Sequence, residues 1–300
     1  MEQKNAMNKP AARPAAAVAA PKGESRGSGS SAFAVIAIIS AFVVSVLLFI
    51  FVFGDGSHFQ GGNNENNPIA GDYFGVVYKG GPVVPVLMTM FLLVLIFSIE
   101  RALTLSRAKG SKSIESFVRN VRQKLNVNDI TGAIAACDQQ KGSVANVVRA
   151  GLVKYQEMSR DRYLEKDQKV LAIQKEIEES TALELPMLEK NLVIISTLAS
   201  IATLVGLIGT VLGMIKAFSA LAQGGAPDAV GLANGISEAL INTALGITGS
   251  ALAIVAYNFF TSKIDELTYS IDEAGFSIIQ TFSAQHGATD HSAPVTTTTI

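Results

Sequence analysis

Two short stretches of an otherwise apolar sequence hold the side chains that could take part in chemistry. In the first, Thr203, Gly206, Thr210, Gly213 and Ala217 recur at steps of three and four, which places small and hydroxyl side chains along one helix face. In the second, Ala239, Asn242, Gly246, Gly249 and Ala253 repeat the arrangement, with Glu238 and Thr243 beside it. Faces of this kind let two helices approach closely. Turned toward a common axis, they would line a narrow pore with few polar atoms, and the chemistry open to such a pore is ion passage. The same glycines, including the Gly209-x-x-x-Gly213 step, serve helix packing alone equally well. A membrane threonine also commonly bonds a carbonyl in its own preceding turn, so Thr210 and Thr243 stay open between the two roles.

Symmetry links the two stretches. If they form an antiparallel hairpin centred near Ala226 and Pro227, Thr210 and Thr243 lie almost equally far from the turn and share one membrane depth. The same construction brings Lys216 opposite Glu238 as an outer-face ion pair, across the hairpin or across a subunit boundary. The alternative is that each side chain snorkels to water from a helix end. Glu238 lies several residues inside the turn, where an ionisable side chain marks a functional site by default.

The elements that must position these residues follow from composition. The chain has 300 residues, 49% hydrophobic and only 16% charged, with no Trp, which is too apolar for an ordinary soluble domain. Four stretches reach the roughly 20 apolar residues a helix needs to cross hydrocarbon: Phe33 to Phe53, Val83 to Leu105, Leu192 to Ile215 and Ala239 to Phe260. The second carries Glu100 and Arg101 near its end, at headgroup level. Pro82 and Pro85 suit its first turn, where a missing backbone donor costs little. Gly224, Gly225 and Pro227 make a tight connection between the third and fourth.

Lysine and arginine set the orientation, because short loops rich in them stay in the cytoplasm. The N-terminal tail holds Lys4, Lys9, Arg13, Lys22 and Arg26, the first connection only Lys79, and the segment from Ser106 to Asn191 a dense set. The N-terminus and the large loop are therefore expected inside. The expected organisation is a disordered tail over 1–31, a retained first span over 32–53, an outer loop over 54–82 and a second span over 83–105. A cytoplasmic helical domain over 106–190 follows, then spans over 191–221 and 232–260 flanking a short outer turn over 222–231, and a C-terminal helix and tail over 261–300. Helical periodicity in Ile114, Phe117, Val118 and Val121, and in Val144, Val147 and Val148, predicts the cytoplasmic bundle. Its last helix, from about Arg160, is expected to run into the third span with only a kink at Pro186.

Several function classes are excluded or disfavoured. A net charge of -1 gives no reason to expect nucleic acid, and the lone Cys137 and three scattered His offer neither an internal disulfide nor metal-ligand spacing, so no cofactor or metal is expected. No paired carboxylates, Ser/His arrangement or phosphate loop points to an enzyme. A secondary transporter would show more spans and more midplane charges. A passive membrane scaffold would tolerate the small-residue faces but would not need Glu238 or level threonines.

The strings Gly206-Leu207-Ile208-Gly209-Thr210-Val211-Leu212-Gly213-Met214 and Gly235-Ile236-Ser237-Glu238-Ala239-Leu240-Ile241-Asn242-Thr243-Ala244-Leu245-Gly246 resemble the paired signatures of the MotA/TolQ/ExbB proton-channel family, most of all its ExbB branch. The likeness extends from Glu100-Arg101 to Tyr257-Asn258. It implies an all-α bacterial inner-membrane protein forming a ring, a pentamer, around an ExbD-like single-span partner with a protonatable Asp, and passing output to a TonB-like transducer. TolQ-like and MotA-like roles are the alternatives within the family. The resemblance makes Thr210 and Thr243 pore-facing and Glu238 the acidic position of the last span. Thr203 stands where family members commonly have Pro, and the span from Phe33 to Phe53 is an addition to the usual three.

Overall fold

The computed structural model describes residues 28–222 and 228–287. Most of the expected N-terminal tail, the Gly224-Gly225-Pro227 connection and residues 288–300 lie outside the described residues. Among the described residues the chain is all helix, with a single isolated bridge, Phe59 to Pro68, and no strand. Four runs are long and apolar enough to cross a membrane, within Phe33–Phe53, Gly81–Asn126, Lys166–Leu221 and Ala229–His286. The chain is an all-α, multi-pass membrane protein.

The first span is α1 (Ser28–Leu47), which passes into a π-helical turn (Leu48–Phe53) closed by Gly54 N–H donating to the Phe49 carbonyl at 3.0 Å. Within it Ala37, Ala41 and Ser45, at steps of four, are buried while Ile38, Ile39, Phe42 and Val43 are exposed. The polar connection that follows is ordered around α2 (Tyr73–Tyr78), whose N-cap Asp72 accepts from the Phe74 and Gly75 amides. Asp72 also pairs with His58 Nδ1 at 2.7 Å. Tyr73 is exposed, whereas Tyr78 turns inward and stacks on Phe49 at 4.7 Å between ring centroids.

A 3₁₀ turn (Gly81–Val83) leads into α3 (Val84–Lys109), with Pro85 in its first turn, where the missing N–H has no intrahelical partner to lose. Beyond α3 lies the bundle α4 (Ile114–Asn126), α5 (Ile130–Gln140), α6 (Gly142–Arg160) and α7 (Lys166–Glu189). The buried Gln140 ties α5 to the end of α3: its amide donates to the Lys109 and Lys112 carbonyls at 2.9 and 2.8 Å. Gly110 makes that closure with φ 83°, and a side chain there would strike the Gln140 and Lys141 carbonyls.

The last two elements are α8 (Leu192–Leu221) and α9 (Ala229–Gly287), which pack on each other more extensively than any other pair. α9 is one unbroken helix of 59 residues, about 90 Å long at 1.5 Å per residue, three times the hydrocarbon thickness. Position 260 is therefore not a helix end. Past it, Ile264, Leu267, Ile271, Ala274, Ile278 and Phe282 are buried at steps of three and four, and α9 packs on α4, α6 and α7. The bundle is thus built from two separate chain segments.

The expected kink at Pro186 is corrected. Pro186 lies inside α7, and the chain breaks instead at Lys190 and Asn191, the latter left-handed at φ 66°. The cause is a polar node on α3. Arg101, 1% exposed, donates through Nη1 to the Leu188 carbonyl at 3.0 Å and to that of Met187 at 3.4 Å, satisfying helix-end acceptors of α7. Its remaining nitrogens clasp Glu100 at 2.6 and 2.7 Å, and Asn191 donates to the same carboxylate at 3.2 Å.

Candidate functional site

Glycine brings α8 and α9 together. A Cβ at Gly213 would meet the Ala239 nitrogen at 2.6 Å, and one at Gly246 would meet the Ala202 carbonyl at 2.7 Å and Gly206 Cα at 2.8 Å. A Cβ at Gly209 would lie as tightly against Asn242, at 2.5 Å from its Cβ, and one at Gly206 a little less so, at 3.0 Å from the Asn242 carbonyl and Gly246 Cα. Gly249 differs: its nearest neighbour, Ala202 Cβ, is at an ordinary 3.8 Å, so it has room for a side chain. Gly235 joins the set unforeseen, its missing Cβ replaced by the backbone of Ala217. The signal was legible, since Gly235 continues the four-residue step before Ala239.

With the helices this close, the Thr210 and Thr243 hydroxyls hydrogen-bond directly to each other. One hydroxyl supplies the proton of that bond, and the other is free to donate to its own preceding turn, where the Gly206 carbonyl lies 3.1 Å from Thr210 Oγ1 and the Ala239 carbonyl 3.2 Å from Thr243 Oγ1. Both are half-buried, and a groove of about 580 Å³ opens beside Thr210, walled by Val211, Met214, Ile215, Phe218, Ser219 and Ala222. Thr203 lies seven residues earlier, about 20° round the helix from Thr210, and is half-buried on the same side.

Toward the α8–α9 connection, Lys216 Nζ donates to Glu238 Oε2 at 2.7 Å. Glu238 is only 6% exposed, while the Lys216 side chain is largely open. Asn242, fully buried, donates to the Gly80 carbonyl at 2.9 Å, leaving Oδ1 without a protein partner. The turn at Gly80 and Gly81 sits over both residues. Gly81 has φ 77°, and any Cβ there would collide with Glu238 Oε1. The glycine doublet before Pro82 was visible in the sequence, but nothing in it identified Glu238 and Asn242 as what the turn covers.

The predicted site residues divide into two groups. At about 100° per residue, Glu238 is turned about 140° from Thr243, and Lys216 about 120° from Thr210. Thr210, bonded to Thr243, lines the groove at one flank of the helix contact, while Glu238 and Asn242 meet the turn before α3 on the other, with Lys216 paired to Glu238. Asn242 does not reach the open face. Ser250, also buried, donates to the Ala199 carbonyl deeper along the same contact.

Chemically, a hydroxyl both donates and accepts, so a bonded threonine pair can relay a proton along a file of water without holding it. Storing a charge takes a carboxylate, and the one nearest here is already matched by an ammonium.

Comparison with known proteins agrees with this geometry. Residues 139–273, which contain both glycine-lined helix segments, match the MotA/TolQ/ExbB proton channel family. Over 210 residues the chain is 29% identical to the biopolymer transport protein ExbB of Neisseria meningitidis, covering 66% of this chain and 91% of that protein. It is 25% identical over 158 residues to the Tol-Pal system protein TolQ of Pseudomonas aeruginosa, covering 53% and 68% respectively. An ExbB-like biopolymer transport protein of Synechocystis is 35% identical over 88 residues, 29% of this chain and 42% of that one. Over residues 139–273, a little under half of its length, the chain thus resembles the MotA/TolQ/ExbB proton channel family.

Proposed function

We propose that the chain is the proton-conducting ring subunit of an ExbB–ExbD-type motor in the bacterial inner membrane, with its N-terminus and helical bundle in the cytoplasm. The observation that carries this reading is the Thr210–Thr243 hydroxyl pair, held at one depth by glycine packing, with Thr210 lining an apolar groove. Several copies, five in this reading, would present their threonines to a common axis. There a single-span partner would supply the Asp that takes up and releases protons. Each charge crossing the membrane potential yields about 2.3 kcal/mol per 100 mV, enough for a few protons to drive a mechanical step. A TonB-like transducer would carry that step to outer-membrane transport. The chemistry is proton relay, with no covalent step assigned to this chain.

The match to a TolQ keeps an envelope-maintaining Tol-Pal role as the second reading. Complementation separates the two: rescue of TonB-dependent uptake supports the first, and rescue of envelope integrity alone supports the second. The channel itself is tested by proton flux in liposomes holding the chain with its single-span partner. Thr210→Val and Thr243→Val should each lower flux at least about fivefold, the factor for about 1 kcal/mol of lost hydrogen bonding, with assembly intact. Unchanged flux would return both threonines to packing. Glu238→Gln distinguishes its two roles: lost flux with an intact ring places the carboxylate on the pathway, and a lost ring places it in the hairpin.

A further inference from the structure

A second depression lies at the opposite end of the spans. About 310 Å³ in volume, it is formed where the end of α3 meets α9 and the start of α4. Its floor is apolar, made by the buried Leu105, Ile114, Phe260 and Leu267, and the exposed Phe259 stands on the side nearer the spans. Its rim is polar, with Ser106, Lys109, Lys263 and Glu266.

The charges on the rim are unequal in their commitments. Lys263 Nζ pairs with Glu266 Oε2 at 2.6 Å, and that contact, then the charges of Lys263 and Lys109, holds the Glu266 carboxyl below its usual range. Lys109 makes no ion pair among the described residues; its carbonyl is taken by Gln140, which fixes the backbone beneath it. The rim therefore offers two ammonium groups against one carboxylate. Arg107, in the same last turn of α3, adds to the local positive field.

Depth decides what can occupy the site. The apolar stretches of α3 and α9 end near Leu105 and Phe260, and Lys109 and Lys263 lie four and three residues further on, about 6 and 4.5 Å along each helix. The depression thus spans the zone where acyl chains give way to headgroups, with its apolar floor and its cationic rim in that same order. Basic pockets between membrane helices at this depth select anionic headgroups.

We propose that this depression is a binding site for one anionic phospholipid, its phosphate held by Lys109 and Lys263 and its upper acyl chain lying on Phe259 and Phe260. The site is independent of the threonine pair and of the channel reading.

The test uses the full chain purified in mild detergent, with native mass spectrometry reporting retained lipid and ring mass together, and thermal unfolding measured with added phosphatidylglycerol, phosphatidylcholine or inorganic phosphate. Phosphatidylglycerol should be retained and should raise the melting temperature, while the other two should not. Lys109→Glu and Lys263→Glu should each reduce retention about fivefold, as one ammonium near an anionic surface contributes about 1 kcal/mol. Lys109→Arg should keep it. Equal retention in the reversed-charge variants would overturn the proposal. So would a change of ring mass without loss of lipid, which would mean that a neighbouring copy fills the depression. Stabilisation by inorganic phosphate equal to that by phosphatidylglycerol would also reject a lipid site, because the apolar floor would then contribute nothing.

Discussion

At the scale of single residues, the glycines of α8 and α9 differ in what they permit. Gly213 stands where a methyl group would press on the Ala239 nitrogen at 2.6 Å and the Gly235 carbonyl at 2.8 Å, and backbone cannot step aside as a flexible side chain can. Gly213→Ala should destabilise the solubilised protein by about 1–3 kcal/mol, the range for overpacking a tight contact. Gly249→Ala meets nothing nearer than 3.8 Å and should be neutral or stabilising by about 0.5–1 kcal/mol, through the better helix propensity of alanine. Thermal unfolding of the two variants side by side would check this, and equal effects would contradict the packing account. The sequence marked both positions alike, because a three-and-four step records only which face a residue is on. It says nothing of how near the opposing backbone comes at each turn. The same limit applies to Glu238, Asn242 and Thr243. They are neighbours in sequence, yet one residue of helical rotation carries Asn242 into the contact with Gly80 and leaves Thr243 bonded to Thr210.

At the scale of elements, the junction of α7 and α8 shows where a sequence reading goes astray and why. Proline was the visible breaker, but Pro186 is accommodated within α7, and the turn falls where Arg101 draws off the last carbonyls. Glu100 and Arg101 were legible as charges near the end of a span. Their partner was not, because a backbone carbonyl 87 residues away leaves no mark in residue type. Arg101→Met would strand two helix-end carbonyls and remove the counter-charge of Glu100. Losing one partner of a fully buried pair costs 3–5 kcal/mol, and since Glu100 is 24% exposed we expect about 2–3. Asn191→Gly should be mild, because glycine takes the left-handed conformation freely and only the bond to Glu100 is lost, about 1 kcal/mol. Asn191→Val adds backbone strain of about 1–3 kcal/mol to the same loss. Hydrogen exchange over residues 182–195 should therefore accelerate least in Asn191→Gly and more in both Asn191→Val and Arg101→Met. Exchange unchanged in Arg101→Met would show that the node does not hold the junction.

At the scale of the whole chain, α9 belongs to two structures at once. Its first half packs on α8 beside the threonine pair, and its second half supplies six buried side chains to the bundle. The division of the sequence at position 260 followed the end of apolar character. The heptad-like steps beyond it were there to be read, but only the α4–α7 segment supplied the apolar faces that complete a core with them. Burying a large apolar side chain stabilises by about 1.5–3 kcal/mol, so the five large ones among them together rival the 5–15 kcal/mol stability of a typical domain. A chain ending at Thr261 should therefore have no folded bundle. Cys137 reports this directly. It is 2% exposed, and burial first, then the charge of Asp138, pushes its thiol up to about 12, with Arg149 opposing. The native thiol thus stays protonated well above the ordinary value of 9.0. Between pH 9 and about 12 the unfolded chain binds fewer protons than the native one, so this group's contribution to stability is intact below pH 9 and falls as pH rises through that window. At pH 8 a maleimide should label intact protein only through rare opening of the bundle, and label the truncated chain at the rate of a free thiol. Equal slow labelling of both would mean that α4–α7 closes its own core, and that α9 beyond the membrane only lies against it.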